Sequence, residues 1–143
     1  MSAVHTGIYT YLSSVTAVTT ILGTPPRLYP QRAPTSAAAP YCIYQRSGAE
    51  HQHHQVLAAG LNNATIQFDC YADSSVEAQA LSEALRGALD GMTLGTWGAL
   101  EVKRVMLLNE SDAFISFDDG SENGRFRVTM DFALWHAESV PAL

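Results

Sequence analysis

Alternation of apolar and polar residues marks two segments of the chain, residues 64–71 and residues 125–135. A two-residue period predicts β-strands with one face in the core and the other face toward water. The side chains expected in the core are Ala64, Ile66, Phe68 and Cys70 in the first strand and Phe126, Val128, Met130, Phe132 and Leu134 in the second.

Residues 100–108 alternate less regularly, and they predict a third strand. The side chains expected on its buried face are Leu100, Val102, Met106 and Leu108. Arg104 is the odd member of that face, because a charged side chain is rarely buried without a partner.

The remaining segments between these elements are shorter or aperiodic. Residues 41–45 are rich in β-branched and aromatic side chains and follow a proline, which predicts another strand. We expect a further short strand over residues 114–117. Residues 47–60 have no clear period and predict a long loop or hairpin tip, and residues 92–98 predict a turn. Turn residues also cluster in residues 118–124.

Two segments have the three- and four-residue spacing of an amphipathic helix. The first predicts one continuous N-terminal helix with an apolar face of Val4, Ile8, Tyr11, Leu12, Val15, Val18 and Leu22. Gly23 and the prolines at 25 and 26 end it. The second begins at the capping box formed by Ser74 and Glu77 and ends at Gly91. Its apolar ridge is Leu81, Leu85 and Leu89.

The order of these elements is helix, strands, helix, strands. It predicts an α+β fold in which two α-helices pack on an antiparallel or mixed β-sheet. The 143 residues, 47% of them hydrophobic, are expected to form a single domain, residues 1–143, around one core.

Charge is sparse and unevenly distributed. Charged residues make up 15% of the chain and the net charge is −6, which argues against a general nucleic-acid-binding surface. Residues 1–60 hold three arginines and one acid, 3 − 1 = +2, whereas residues 61–143 hold five bases and thirteen acids, 5 − 13 = −8. Such polarity suits a subunit whose different faces meet in an assembly, because opposite fields then attract.

One cluster has the composition of a metal site: Glu50, His51, His53 and His54. Imidazole binds Zn, Cu and Ni, but no second group at ligand spacing completes the set. The alternative to a metal site is a solvated or interface loop.

No other segment predicts chemistry. The acids at 118, 119 and 122 lack the spacing of a calcium-binding loop, and no nucleophile or phosphate-binding motif occurs. We therefore expect no enzyme activity, and we assign no catalytic, cofactor-binding or metal-binding residue.

The environment of the protein is indicated by its cysteines and by its lack of long apolar runs. Cys42 and Cys70 lie in strand-like segments and are expected to be reduced, buried side chains of a protein made in a reducing cytoplasm. No apolar run reaches the roughly 18 residues of a membrane span, and the N-terminus lacks a signal-peptide pattern.

In the order of its segments, the chain resembles the small tail-completion, or tail-terminator, proteins of long-tailed phages and prophages. The similarity begins with an N-terminal helix that ends before Arg27-Leu28-Tyr29-Pro30 and continues with Pro40-Tyr41, which opens a strand. Next, Ile66-Gln67-Phe68-Asp69-Cys70-Tyr71-Ala72 leads into an Ala/Leu helix that ends at Ala88-Leu89-Asp90-Gly91. The last match is the closing strand, residues 125–135.

The resemblance implies a structural subunit of the virion, assembled in the cytoplasm of a bacterial host. Such a subunit would form a ring, expected to be a hexamer, on the head-proximal end of the tail tube. It would bind the major tail tube protein and the head–tail connector protein, while DNA passes through the lumen without specific binding. No membrane, cofactor or catalytic residue is implied.

Two alternatives stay open. The chain could instead be a head–tail connector or another minor tail protein, since these share a small α+β core and ring assembly. A different class is a small metal- or ligand-binding protein that uses His51, His53 and His54.

Overall fold

The computed structural model describes residues 3–34, 37–53, 58–98, 100–116 and 124–137. The helices are α1 (Ala3–Ser13), α2 (Thr16–Leu22) and α3 (Ser75–Leu89). The strands are β1 (Leu28–Pro30), β2 (Tyr41–His53), β3 (Ala58–Ala72), β4 (Thr93–Trp97), β5 (Leu100–Ser116) and β6 (Gly124–Ala137).

The six strands form one mixed sheet in the order β1-β2-β3-β6-β5-β4. Only β1 is parallel to its neighbour, β2, and all the other pairs are antiparallel. The helices pack on one face of the sheet, with α3 against β3, β5 and β6 and with α1 against β4 and β5. The α+β prediction is confirmed, with three helices in place of two.

The predicted buried faces of β3 and β6 are confirmed. Ile66, Phe68 and Phe132 are each at most 2% exposed, and the rings of Phe68 and Phe132 meet edge to face with centroids 5.7 Å apart. Leu85 of α3 is fully buried in the same core. Phe126 at the end of the row is only partly buried.

Helix α3 follows its sequence signals closely. The Ser74 hydroxyl accepts a hydrogen bond from the Glu77 backbone N–H at 3.1 Å, as an N-cap should. The helix ends before Gly91, whose φ of +79° is a conformation that glycine adopts without strain.

The single N-terminal helix predicted from the spacing is wrong, because the chain breaks between α1 and α2. Val15 adopts an extended conformation with φ −89° and ψ 111°. The hydroxyls of Ser13 and Ser14 donate to the carbonyls of Tyr9 and Tyr11, at 2.6 Å each, and such local bonds compete with the helical pattern. The apolar face survives the break, since Leu12 and Leu22 are both fully buried.

Of the two alternatives predicted for residues 47–60, the hairpin is confirmed and the long loop is wrong for most of its length. Strand β2 continues to His53 and β3 begins at Ala58, so the two strands form a long hairpin. Register shifts between Arg46 and Gly48 and between His51 and His53 interrupt the two-residue period, which is why the sequence pattern looked aperiodic. Similarly, the turn predicted over residues 92–98 contains strand β4.

Strand β5 departs most from its predicted face. Leu100 and Val102 are buried as expected, but Val105 is buried instead of Met106, which is 37% exposed. The cause is a register shift between Val102 and Arg104 against β6, since one extra residue turns the following side chains to the opposite face. A second shift lies between Leu107 and Asn109, and Leu108 is 56% exposed.

Cys42 and Cys70 are reduced and fully buried, as predicted. They lie directly opposite each other on β2 and β3, with their Sγ atoms 4.0 Å apart. Burial is the main cause that raises the pKa of Cys42 well above its ordinary value, and the neighbouring Cys70 is the second cause. The raised pKa keeps this thiol protonated.

Candidate assembly surfaces

The enclosed space in the core offers no polar group to a ligand. It is a small cavity lined by eight apolar side chains, among them Phe68, Trp97 and Phe132. A binding site needs a few convergent polar groups to orient its ligand, and the surface that these residues present to the cavity is apolar.

The histidine cluster is only partly within the described region. Strand β2 contains the backbone of His51 and His53, but their side chains, and all of His54, lie outside the described residues. Among the side chains that are described, no group of three or more His, Cys, Asp or Glu residues could hold a metal ion. The acids at 118, 119 and 122 also lie outside the described residues.

His5 and His136 are buried, with 9% and 5% of their surface exposed. Burial is the main cause that lowers the pKa of His5, and the positive charge of Arg46 is the second cause. Both favour the neutral form of the imidazole. The Tyr44 hydroxyl donates to the His5 carbonyl oxygen at 3.1 Å, and burial raises the pKa of Tyr44 to about 12. His5 and Tyr44 therefore connect α1 to β2 and have a structural role.

The sheet face opposite the helices carries an aromatic and arginine cluster. The rings of Tyr41 and Tyr71 stack with centroids 5.0 Å apart. The guanidinium of Arg125 lies 5.2 Å from the Tyr41 ring centroid and donates to the Tyr41 hydroxyl at 3.1 Å. Arg127 is directly opposite Tyr71 in the register. The cluster stiffens the junction of β2, β3 and β6 on this face.

A second polar group on the same face is nearly buried. Asp69 is 8% exposed and accepts hydrogen bonds from the Thr129 hydroxyl at 2.7 Å and from Gln67 at 3.3 Å. Because this carboxylate is satisfied by its neighbours on β3 and β6, it stabilises the sheet locally.

Apolar side chains are exposed along the second half of β5. Leu108 is 56% exposed, Phe114 47% and Ile115 38%. The acids between them face α3: Glu110 lies 4.0 Å from Arg86, and Asp112 accepts from Gln79 at 3.2 Å. This part of the strand therefore combines exposed apolar groups with negative charge.

The outer edge of β5 is covered only at its beginning. Strand β4 pairs with it from Leu100 to Arg104. The turn after α3 continues the cover, with hydrogen bonds between Val105 and the backbone of Gly91 and Met92. The Asp90 carboxylate then accepts from the Leu107 N–H at 3.0 Å. Beyond Leu107, no residue within the described ranges pairs with this edge.

The chain is similar to known proteins both in sequence and in fold. A family model described as tail completion protein gp17 matches residues 6–137. The chain belongs to this family. Its fold is similar to that of a chain in the solved structure titled "Virion of native gene transfer agent (GTA) particle", with a TM-score of 0.65 and 16% identity. That match covers 91% of this chain and 92% of the other. A search among curated proteins found no match.

The family places this tail completion protein in the virion, as a structural protein of a phage tail. The resemblance inferred from the order of segments is thereby confirmed. No helix in the described part of the chain is long and apolar enough to cross a membrane.

The exposed edge of β5 was not found from the sequence. Its apolar residues were divided between one strand ending at Leu108 and another beginning at Phe114. Two signals were present: the misfit of Arg104 on a supposedly buried face, and the polar residues 109–112 in the middle of what is one long strand.

Proposed function

We propose that this tail completion protein forms a ring, expected to be a hexamer, that ends the tail tube at its head-proximal end. The ring would stop tube growth and present a surface to the head–tail connector. The observation that carries the proposal is the family match over residues 6–137. The unpaired edge of β5 supports it, with Leu108, Phe114 and Ile115 exposed, because an unpaired strand edge is a template for pairing with another chain.

The distribution of charge fits a ring of identical subunits. A ring requires heterologous contacts, in which one face of a subunit meets a different face of the next. The first 60 residues, with a net charge of +2, include β1 and β2 at one side of the sheet. At the other side, β4 and β5 carry Glu101, Glu110 and Asp112 against Lys103 and Arg104, 2 − 3 = −1. The weak negative charge of one side suits a contact with the more positive half of the next subunit.

A passage for DNA through this ring would not be strongly basic. The chain holds only eight lysines and arginines against fourteen acids, and a bore rich in basic groups would bind phosphate and retain the genome. We propose that DNA passes without specific binding.

The experiment is to delete the gene from a phage or prophage that carries it and to measure tail lengths by electron microscopy. Loss of a terminator leaves tubes of irregular length that do not join heads. Complementation with the wild-type chain should restore both length and joining. Tails of normal length that merely fail to join heads would support the alternative, a head–tail connector.

A further inference from the structure

Two longer segments of sheet edge extend beyond the short edge strands β1 and β4 and have no partner among the described residues. The first is the part of β5 beyond Leu107, residues 108–116, which we name the β5 edge. The second is the part of β2 beyond the segment paired with β1, residues 46–53, which we name the β2 edge. Strand β1 pairs with β2 only at Cys42, Ile43 and Tyr44, and the Gln31 N–H adds one bond to Tyr44.

The backbone of the β5 edge directs hydrogen-bonding groups outward. The Leu107 N–H donates to Asp90, so it points away from β6. Leu107 is opposite Phe132 of β6. Glu110 is opposite Met130, and Asp112 is opposite Val128. Phe132, Met130 and Val128 are alternate residues of β6, and the backbone groups of alternate residues in an antiparallel strand point to the same neighbour. The residues opposite them on β5 therefore share one direction, so Glu110 and Asp112, like Leu107, direct their N–H and C=O groups away from β6.

The β5 edge has only part of the protection that natural sheet edges carry. Such edges are blocked by charged side chains, especially lysine, by proline, by bulges or by a covering segment. Residues 108–116 carry Glu110 and Asp112 and a register shift at Leu108, but they contain no lysine and no proline, and no described segment covers them. Strand β1 is a contrasting case. Pro30 has no N–H, and the Leu28 N–H is already used by the Pro26 carbonyl. The β1 edge is therefore closed to strand addition, whereas the β5 edge has no partner within the part of the chain that the structure describes.

We propose that the β5 edge of one copy pairs in antiparallel register with the β2 edge of a second copy. This inference deepens the ring proposal and rests on it. Successive strands β2, β3, β6 and β5 are antiparallel, so β2 and β5 run in opposite directions. Copies related by a ring rotation keep their helices on the same side of the sheet. When β5 of one copy lies beside β2 of the next copy, the two strands are antiparallel, as the neighbouring strands β2, β3, β6 and β5 are within each copy.

Length and charge favour this pairing over pairing of the β5 edge with itself. The two edges have similar lengths, eight residues and nine. The β5 edge carries Glu110 and Asp112 and no base, so self-pairing would place acids next to acids, which destabilises a sheet. The β2 edge carries Arg46, whose side chain is exposed, besides Glu50 and two histidines.

Cross-linking between two differently substituted chains tests the partner directly. In a background of Cys42→Ala and Cys70→Ala, one chain carries Asp112→Cys and the other carries Ala49→Cys. The two are mixed and treated with a short bismaleimide. We expect the mixed cross-linked dimer to dominate over either homodimer. Dominant cross-linking of the Asp112→Cys chain to itself would overturn the proposal in favour of a two-fold dimer.

A backbone substitution in the otherwise natural chain tests the hydrogen bonding. Asp112→Pro removes an outward N–H without removing a bond between β5 and β6, and Asp112→Asn is the matched control that keeps the N–H. By native mass spectrometry we expect the Asn variant to assemble like the wild type and the Pro variant to remain monomeric with its thermal unfolding transition intact. A Pro variant that assembles normally would overturn the proposal.

Failure of this inference differs from failure of the proposed function. If the wild-type chain forms a ring but the two substituted chains give no mixed cross-link, the edge pairing is refuted and the ring stands. If the wild-type chain is monomeric and the substituted chains give no mixed cross-link, the pairing is also refuted, while the tail-length experiment still tests the terminator role by itself.

Discussion

Strands β5 and β6 pair along most of their length, yet they differ in how much of their side-chain surface is exposed. In β6, the side chains of Val128, Met130, Phe132 and Leu134 are each at most 1% exposed. In the β5 edge, every residue except Ala113 is exposed. β6 lies between two strands and under α3, whereas the β5 edge has β6 on one side only. The comparison teaches that pairing alone does not bury a strand, and the exposure of the β5 edge is what the proposed contact with a second copy would cover.

The largest expected effect contrasts two phenylalanines. Phe132→Ala should lower the free energy of unfolding by about 3–5 kcal/mol, because it opens a cavity in the packed core. Phe114→Ala, the matched control in the β5 edge, should cost far less, since the ring is 47% exposed. Chemical denaturation of both variants measures the difference. Equal losses would mean that the two regions are not distinct.

A smaller effect tests the register shift that turns β5 over. Val105→Ala should destabilise the fold by about 2 kcal/mol, from two buried methyl groups and the cavity they leave. Met106→Ala, one residue further along, should cost under about 1 kcal/mol because Met106 faces the open side. If the larger loss came from Met106, the strand would have the face that simple alternation predicts.

These two residues also show where prediction from sequence succeeded and where it could not. Helix α3 and strands β3 and β6 were predicted well because their periods are uninterrupted and each repeat is reinforced by burial. β5 was misassigned after Val102, since a bulge is set by pairing with a strand distant in sequence. The break near Val15 and the full length of the strands in the β2–β3 hairpin were missed for related reasons, because local periodicity does not record backbone irregularities. No local pattern could reveal which edge of the sheet is left uncovered.

Amide hydrogen exchange sharpens the comparison without any substitution. In the monomer, the β6 amides over residues 128–134 should exchange only through large-scale unfolding, because they are hydrogen-bonded within the core. The amides of Glu110, Asp112 and Phe114 should exchange much faster, since no described group accepts from them. Assembly should slow these three amides selectively. Uniform protection of both strands in the monomer would contradict the proposed open edge.

The smallest effect is expected in the histidine segment. The double substitution His51→Ala with His53→Ala should change the free energy of unfolding by within about 0.5 kcal/mol, the usual range for surface positions. Metal analysis of the purified wild-type protein provides the complementary measurement. Stoichiometric Zn or Ni, lost together with the fold in the double variant, would favour the metal-binding alternative.

The most direct measurement is cryo-electron microscopy of the intact particle at the junction of tail and head. We predict a ring of copies of this chain at the head-proximal end of the tail tube, with the β5 edge of each copy covered by its neighbour. Copies at the distal end of the tail, or a junction that contains none, would contradict the proposed terminator role.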